Sequence, residues 1–256
     1  MNTVEIASLM SWLGGMLWAL GRIGGLFLLA PVFSATTITR QVRVAMVVLF
    51  TLVLAPLAPT QLDLFSAGGV ATMVTQVVIG AGIGFVLRLV FEAVALGGNL
   101  IGQSMGLGFA ELINPTAGGS VPVLGQFYQM LVTLLFVAMD GHLHMIALLA
   151  DSFRTLPPGL AGITPNGLFA VVAAGSELFA GAVRVALPAM TALLLVNLGF
   201  AAISRAAPSM NLFAVGFPIS ICMGFIALWL CLRGLAGAFS ALQAQAWSLA
   251  RQLIGA

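Results

Sequence analysis

Five charged residues, Arg22, Arg88, Glu92, Glu177 and Arg184, stand inside long apolar runs rather than between them. A charge at the centre of a bilayer costs about 2.5–3.5 kcal/mol on insertion scales, so such groups mark proton relays, substrate paths or interfaces packed on protein. Arg88 and Glu92 are one helical turn apart, which stacks them on one face as an ion pair. Glu177 and Arg184 share a face through two turns. Two chemistries fit: a relay or substrate site in a transporter, or mutual neutralisation within a packed interface. Neutralisation is favoured, because no chain of Asp, Glu or His extends from either pair. Burying one partner without the other would be the costly state. The four residues are therefore expected to be structural charge pairs.

Other reactive residue types offer less. His142 and His144, with Asp140 and Asp151, raise the question of a metal site, but residues two apart on a helix diverge by about 200°. No Glu completes an H-E-x-x-H pattern, so these groups are expected at a membrane–water boundary and no metal site is assigned. Gly119-Ser120 lacks the surroundings of a nucleophile elbow, and no nucleophile–base constellation appears; no catalytic residue is assigned. Cys222 and Cys231 fall on different faces of one helix, about 13 Å apart along its axis, too far for a disulfide. They are expected to act as small buried hydrophobes. The basic residues are scattered singly, which gives no patch for nucleic acid.

The elements that must position these groups follow from composition. Of 256 residues, 61% are hydrophobic and 6% charged, and the mean hydropathy is +1.15. Too little polar surface remains to cover a water-soluble domain. The pattern predicts an all-α, membrane-embedded chain of helical hairpins with Pro- and Gly-broken helices. About six apolar segments are expected, over residues 8–33, 44–59, 67–101, 123–149 (interrupted by a polar knot at 140–144), 168–203 and 213–232. A separate amphipathic helix is expected over 235–253. The second segment, between Arg43 and Pro56, gives a usable helix of about 18 Å, short of a core of about 30 Å. The first nine residues carry no basic group and Arg22 interrupts the apolar stretch after them, so no cleavable signal peptide is expected. Arg40 and Arg43 favour a cytoplasmic first loop.

Two stretches are far more specific. One is GQSMGLGFAELINPTAGGSVPVLGQFY from Gly102 to Tyr128, followed by DGHLHMIALLADSFRTLPPG from Asp140. The other is SRAAPSMNLFAVGFPIS from Ser204. With the PVFS at Pro31, they closely resemble the FliR family of flagellar biosynthesis proteins, whose injectisome counterparts are called SctT. The resemblance covers essentially the whole chain. It implies a non-enzymatic subunit of the type III export gate in the bacterial inner membrane, at the flagellar basal body, needing no cofactor. Implied partners are homologues of FliP, FliQ and FlhB, unfolded flagellar export substrates, and membrane lipid. A FliP-like portion is expected over about 1–165 and a FliQ-like portion over about 166–256.

The 102–122 loop is then the expected plug, through Met105, Leu107, Phe109, Leu112, Ile113, Asn114, Pro115, Gly118 and Gly119. Its glycines permit tight non-helical backbone, and its apolar side chains can exclude water. Arg205, Pro208, Met210, Asn211, Phe213, Gly216, Phe217 and Pro218 are the expected subunit-interface motif. The rival reading is a secondary transporter for a small solute using the two charge pairs at broken helices. It would need an inverted internal repeat, and no convincing one is visible.

Overall fold

A computed structural model of the chain describes residues 3–34, 38–58, 66–108, 122–159, 162–206 and 212–255. It is 89% helical with no strand among those residues. The elements are α1 (Thr3–Leu29), α2 (Arg40–Leu54) with a 3₁₀ turn (Ala55–Leu57), α3 (Ala67–Ser104), α4 (Val123–Ala138), α5 (Gly141–Thr155), α6 (Pro165–Ala206) and α7 (Leu212–Ile254). Five helices are long and apolar enough to cross a membrane, and α4 with α5 would add a sixth, broken span.

Helix boundaries follow local chemistry. The Ser66 hydroxyl accepts from Gly69 N at 3.0 Å, capping α3. The Thr164 hydroxyl accepts from Gly167 N at 3.1 Å, and Pro165 occupies the first helical position of α6. Between α4 and α5 the chain turns at Asp140, whose φ of 55° is left-handed, as short polar side chains tolerate best after glycine. The PVFS stretch contains a tight turn, in which Phe33 N donates to Pro31 O at 2.8 Å across Val32, held at φ 70°. That conformation is strained for a β-branched residue. Arg43 Nε braces it by donating to Phe33 O at 3.0 Å.

Two elements differ from the sequence expectation. Helix α2 starts at Arg40, and with the 3₁₀ turn it spans 18 residues, enough to be a candidate span. The sequence expectation begins it at Val44, with Arg40 and Arg43 as flanking polar residues. Arginine is a good helix former, and its stem lies along apolar surface while its head reaches water. Second, the terminal amphipathic segment is no separate helix but the last part of the 43-residue α7. No Gly–Pro pair separates the two parts, and Leu235, Phe239, Leu242 and Ala246 continue one buried stripe at helical spacing. Pro188 and Pro218 lie within α6 and α7. Each removes one ladder hydrogen bond without ending the helical run.

The chain divides into two compact units. The first comprises Met1–Leu89, Phe136–Gly175 and Ala244–Ala256. In it α1 crosses α3 in backbone contact. A Cβ on Gly25 would strike Val77 O, one on Gly80 would strike Arg22 O, and one on Gly84 would lie 2.8 Å from Leu26 O. Glycines at i and i+4 on both helices permit this approach, as in small-xxx-small membrane interfaces. Around the crossing, Trp18, Ile23, Leu26, Phe27, Ile79 and Ile83 are almost fully buried. Phe27 packs at a tilt between Phe33, with ring centres at 4.6 Å, and Phe50, at 5.7 Å.

The second unit comprises Val90–Leu135 and Ser176–Gln243. Gly98 of α3 lets Leu124 O and Tyr128 of α4 approach, with a hypothetical Cβ 2.8 Å from that oxygen. Phe91 meets Phe239 edge-on at 5.8 Å. Outside this core the unit exposes many large apolar residues, among them Leu194, Leu195, Leu198, Phe225, Ile226 and Trp229. So wide an apolar surface is suited to lipid or to other protein and not to water.

The α1–α3 contact should be the least forgiving site for added volume. Gly80→Val should cost about 1–3 kcal/mol or more, since backbones and not flexible side chains must separate. Gly24, with nothing within 4 Å, should accept Ala neutrally or with a small gain. Thermal stability of the detergent-solubilised protein would compare the two.

Candidate functional site

In the first unit the charged residue most deeply placed among the described residues is Arg22, at 0% exposure in the C-terminal third of α1. Its guanidinium is satisfied without a carboxylate among its partners. Nε donates to Gln76 Oε1 of α3 at 2.8 Å. Nη1 donates to Ser152 O at 2.5 Å and Ser152 Oγ at 3.0 Å. Nη2 donates to Leu156 O at 2.6 Å, and the Phe153 ring lies 4.3 Å beneath. Ser152 and Leu156 belong to the last turn and C-cap of α5. Ser152 O also accepts from Leu156 N at 3.0 Å, whereas Leu156 O lies past the last bond of the helix, at the negative end of its dipole. Arg22 is therefore a C-cap delivered from another helix. Sequence reasoning found Arg22 as an interior charge but not Gln76, Ser152 or Leu156. Carbonyls leave no residue-type signal.

The predicted plug begins in the second unit. Helix α3 ends in a Schellman cap, with Gly106 at φ 82°, Gly106 N donating to Gln103 O at 3.0 Å and Leu107 N to Gly102 O at 3.1 Å. A positive φ here requires the glycine. The cap turns Met105 inward, where it is 1% exposed and lies over Gly224 of α7. A Cβ on Gly224 would sit 2.8 Å from the Met105 sulfur. Met105 borders a cavity of about 590 Å³ whose walls include Asn197, Phe200, Phe217 and Ser220. Ser220 Oγ donates to Asn197 Oδ1 at 3.4 Å, joining α6 and α7 at its side.

The structure thus brings together Met105 of the predicted plug and Gly216 and Phe217 of the predicted interface motif around one cavity. Leu107 is half-buried nearby in sequence. Phe109, Leu112, Ile113, Asn114, Pro115, Gly118 and Gly119 lie outside the described residues, as do Pro208, Met210 and Asn211. Phe213 lies in α7, its side chain outside the described set. Arg205 and Pro218 are exposed. Asn197 and Ser220, absent from the sequence prediction, would have been found only by pairing polar positions across two apolar helices.

The interior charges divide. Arg88 and Glu92 lie one turn apart on α3, are exposed on the isolated chain, and each engages a partner. Glu177 Oε2 is buried with no hydrogen-bond partner, and Arg184 is exposed on α6. Cys231 is half-buried and Cys222 exposed, both as free thiols, so the expectation of buried cysteines fails for Cys222, which faces outward from α7. His142 and His144 lie on α5; His144 Nδ1 is 3.2 Å from Asp140 O, and its ring is 6.1 Å from that of Trp247. Among the described residues no group of three or more His, Cys, Asp or Glu could hold a metal ion.

Comparison with known proteins places these features in a family. The profile of the bacterial export proteins, family 1, matches residues 13–246. The chain is 39% identical over 233 residues to the flagellar biosynthetic protein FliR of Pectobacterium carotovorum, covering 91% of this chain and 89% of that protein. It is 36% identical to FliR of Escherichia coli K12, over 84% of this chain and 83% of that one. It is also 30% identical to FliR of Caulobacter vibrioides, over 84% and 87%.

The Arg22 cap makes a sharp prediction. Arg22→Leu should strand Gln76 Oε1 and Leu156 O, at about 1–3 kcal/mol for each buried group left unsatisfied, while Ser152 O keeps its bond from Leu156 N. Arg22→Lys should recover only part, because an ammonium cannot present the same fork of donors. Protein abundance in membranes and melting temperature in detergent would both fall, furthest for the Leu variant.

Proposed function

The chain belongs to family 1 of the bacterial export proteins, and from that premise we propose that it forms, with FliP and FliQ homologues, the channel through which unfolded flagellar substrates cross the bacterial inner membrane. It is a membrane-embedded component of the flagellar protein export apparatus. The finer reading places it at the basal body beside an FlhB homologue, as a structural subunit without enzymatic activity. Its C-terminal helical hairpin, residues 166–256, acts as a FliQ-like element. Its N-terminal part acts as a FliP-like one.

The observation that carries the gating role is the anchorage of the 102–122 connection. A Schellman cap stops α3 abruptly, and Met105 is sunk over Gly224 at the edge of a 590 Å³ cavity. A loop fixed at this root can hold apolar residues across a passage and still be displaced by a passing chain. Methionine suits such a seat, being unbranched and readily repacked. Met105, Leu107, Phe109, Leu112 and Ile113 would form the seal; Asn114, Pro115, Gly118 and Gly119 would shape the backbone. Arg88, Glu92, Glu177 and Arg184 serve packing and not proton transfer, although Glu177 and Arg184 make no ion pair with each other. Arg205, Pro208, Met210, Asn211, Phe213, Gly216, Phe217 and Pro218 form a surface for neighbouring subunits.

Deleting residues 109–119, or changing Phe109 to Gly or Asp, should leave assembly largely intact but make the membrane leaky to ions and small solutes. Conductance in cells carrying the variant complex, normalised to complex abundance, is the readout. Unchanged permeability at normal abundance would place the seal in another subunit.

A further inference from the structure

We propose that Arg184 is the docking point for a carboxylate carried by a membrane-embedded helix of a neighbouring subunit, and that the cavity beside it seats that side chain. Arg184 lies near the middle of the 42-residue α6, flanked by the exposed apolar residues Val183 and Leu187. It lines a cavity of about 380 Å³ within the second unit, with Tyr128, Pro188, Ala227, Cys231 and Leu235. This volume falls in the range of ligand-sized clefts. Arg184 is the one charged residue of that lining.

Unlike Arg22, Arg184 has no hydrogen bond or ion pair among the described residues. The described carboxylates of its own unit do not serve it. Glu92 is engaged by another group, and Glu177 Oε2 is buried without a partner. An intramembrane cation that the described residues leave uncovered calls for an anionic partner, because apolar helices and lipid tails offer it nothing. The occupant's charge must be negative, and a planar carboxylate fits the guanidinium fork through two parallel hydrogen bonds. The surrounding apolar wall then excludes water and strengthens the pair.

The proposal rests on the assembly reading above, and the test separates the two. The tagged chain, as wild type and as Arg184→Lys, Arg184→Gln and Arg184→Glu, would be expressed with its partner subunits. The ratio of co-purified partner to tagged chain would then be measured. Lys, which keeps the charge but not the fork, should fall modestly, and Gln should fall several-fold further. Glu should fall about tenfold or more, because like charges would face each other at the contact. Should the Glu variant be degraded, the Lys and Gln ratios carry the test. Selection for restored motility in the Glu strain should yield a change of Asp or Glu to a neutral or basic residue in a membrane helix of another subunit. Wild-type ratios for both Gln and Glu would overturn the proposal. So would a phospholipid bound stoichiometrically to the wild-type complex and lost from the Gln variant, which would assign the anion to a headgroup. A wild-type chain that purifies without partners would overturn the assembly reading together with this one.

Discussion

The contact between the Arg22 guanidinium and the last carbonyls of α5 organises the first unit. A buried cation without a carboxylate is tolerable only where dipoles replace the lost water. A helix C-terminus supplies such dipoles, since its final carbonyls lack internal donors. Reaching them demands that α1 lie close to α3, which the glycines at 25, 80 and 84 permit. Gln76, one turn before Gly80, then completes the set at Nε. The small-residue crossing and the charge are two parts of one solution. Larger residues would hold the backbones apart, and an apolar residue in place of Arg22 would leave Leu156 O at the end of α5 without its guanidinium donor.

The second unit obeys the same constraint with a different outcome. Its glycines also bring helices together, Gly98 against α4 and Gly224 beneath Met105. Yet Arg184 makes no polar contact among the described residues, and Glu177 keeps an unpartnered buried oxygen. Lipid cannot satisfy such groups. The wide apolar surface of α6 and α7 is neutral as to what covers it, but these polar atoms are not. They argue for protein on the outside of this unit, which agrees with a chain that works inside a multi-subunit export apparatus.

Much of this was legible in the residues. Hydropathy placed the apolar segments, and the Gly- and Pro-rich connection expected over 102–122 marked the end of α3 to within a few residues. The blocks at 102–128 and 204–220 identified the family without any structure. Legibility failed where the determinant was not a side-chain type. Arg22 is read easily as an interior charge, but half of its hydrogen bonds go to backbone carbonyls at the end of a helix 130 residues away. The start of α2 was missed because arginines that seem to end an apolar run also extend a helix. The spacing of Glu177 and Arg184 suggested a shared face, yet a shared face over two turns does not bring an acid and a base into contact. Across an axial gap of about 10 Å, side chains meet only if both bend toward each other.

The central claim is that this chain is completed by other subunits and not by lipid alone. Native mass spectrometry of the tagged chain, extracted gently from membranes of flagellated cells, tests it most directly. The account predicts one assembly containing the chain with FliP and FliQ homologues, with little free chain. A monodisperse, protease-resistant monomer, able to transport a small solute after reconstitution, would contradict it.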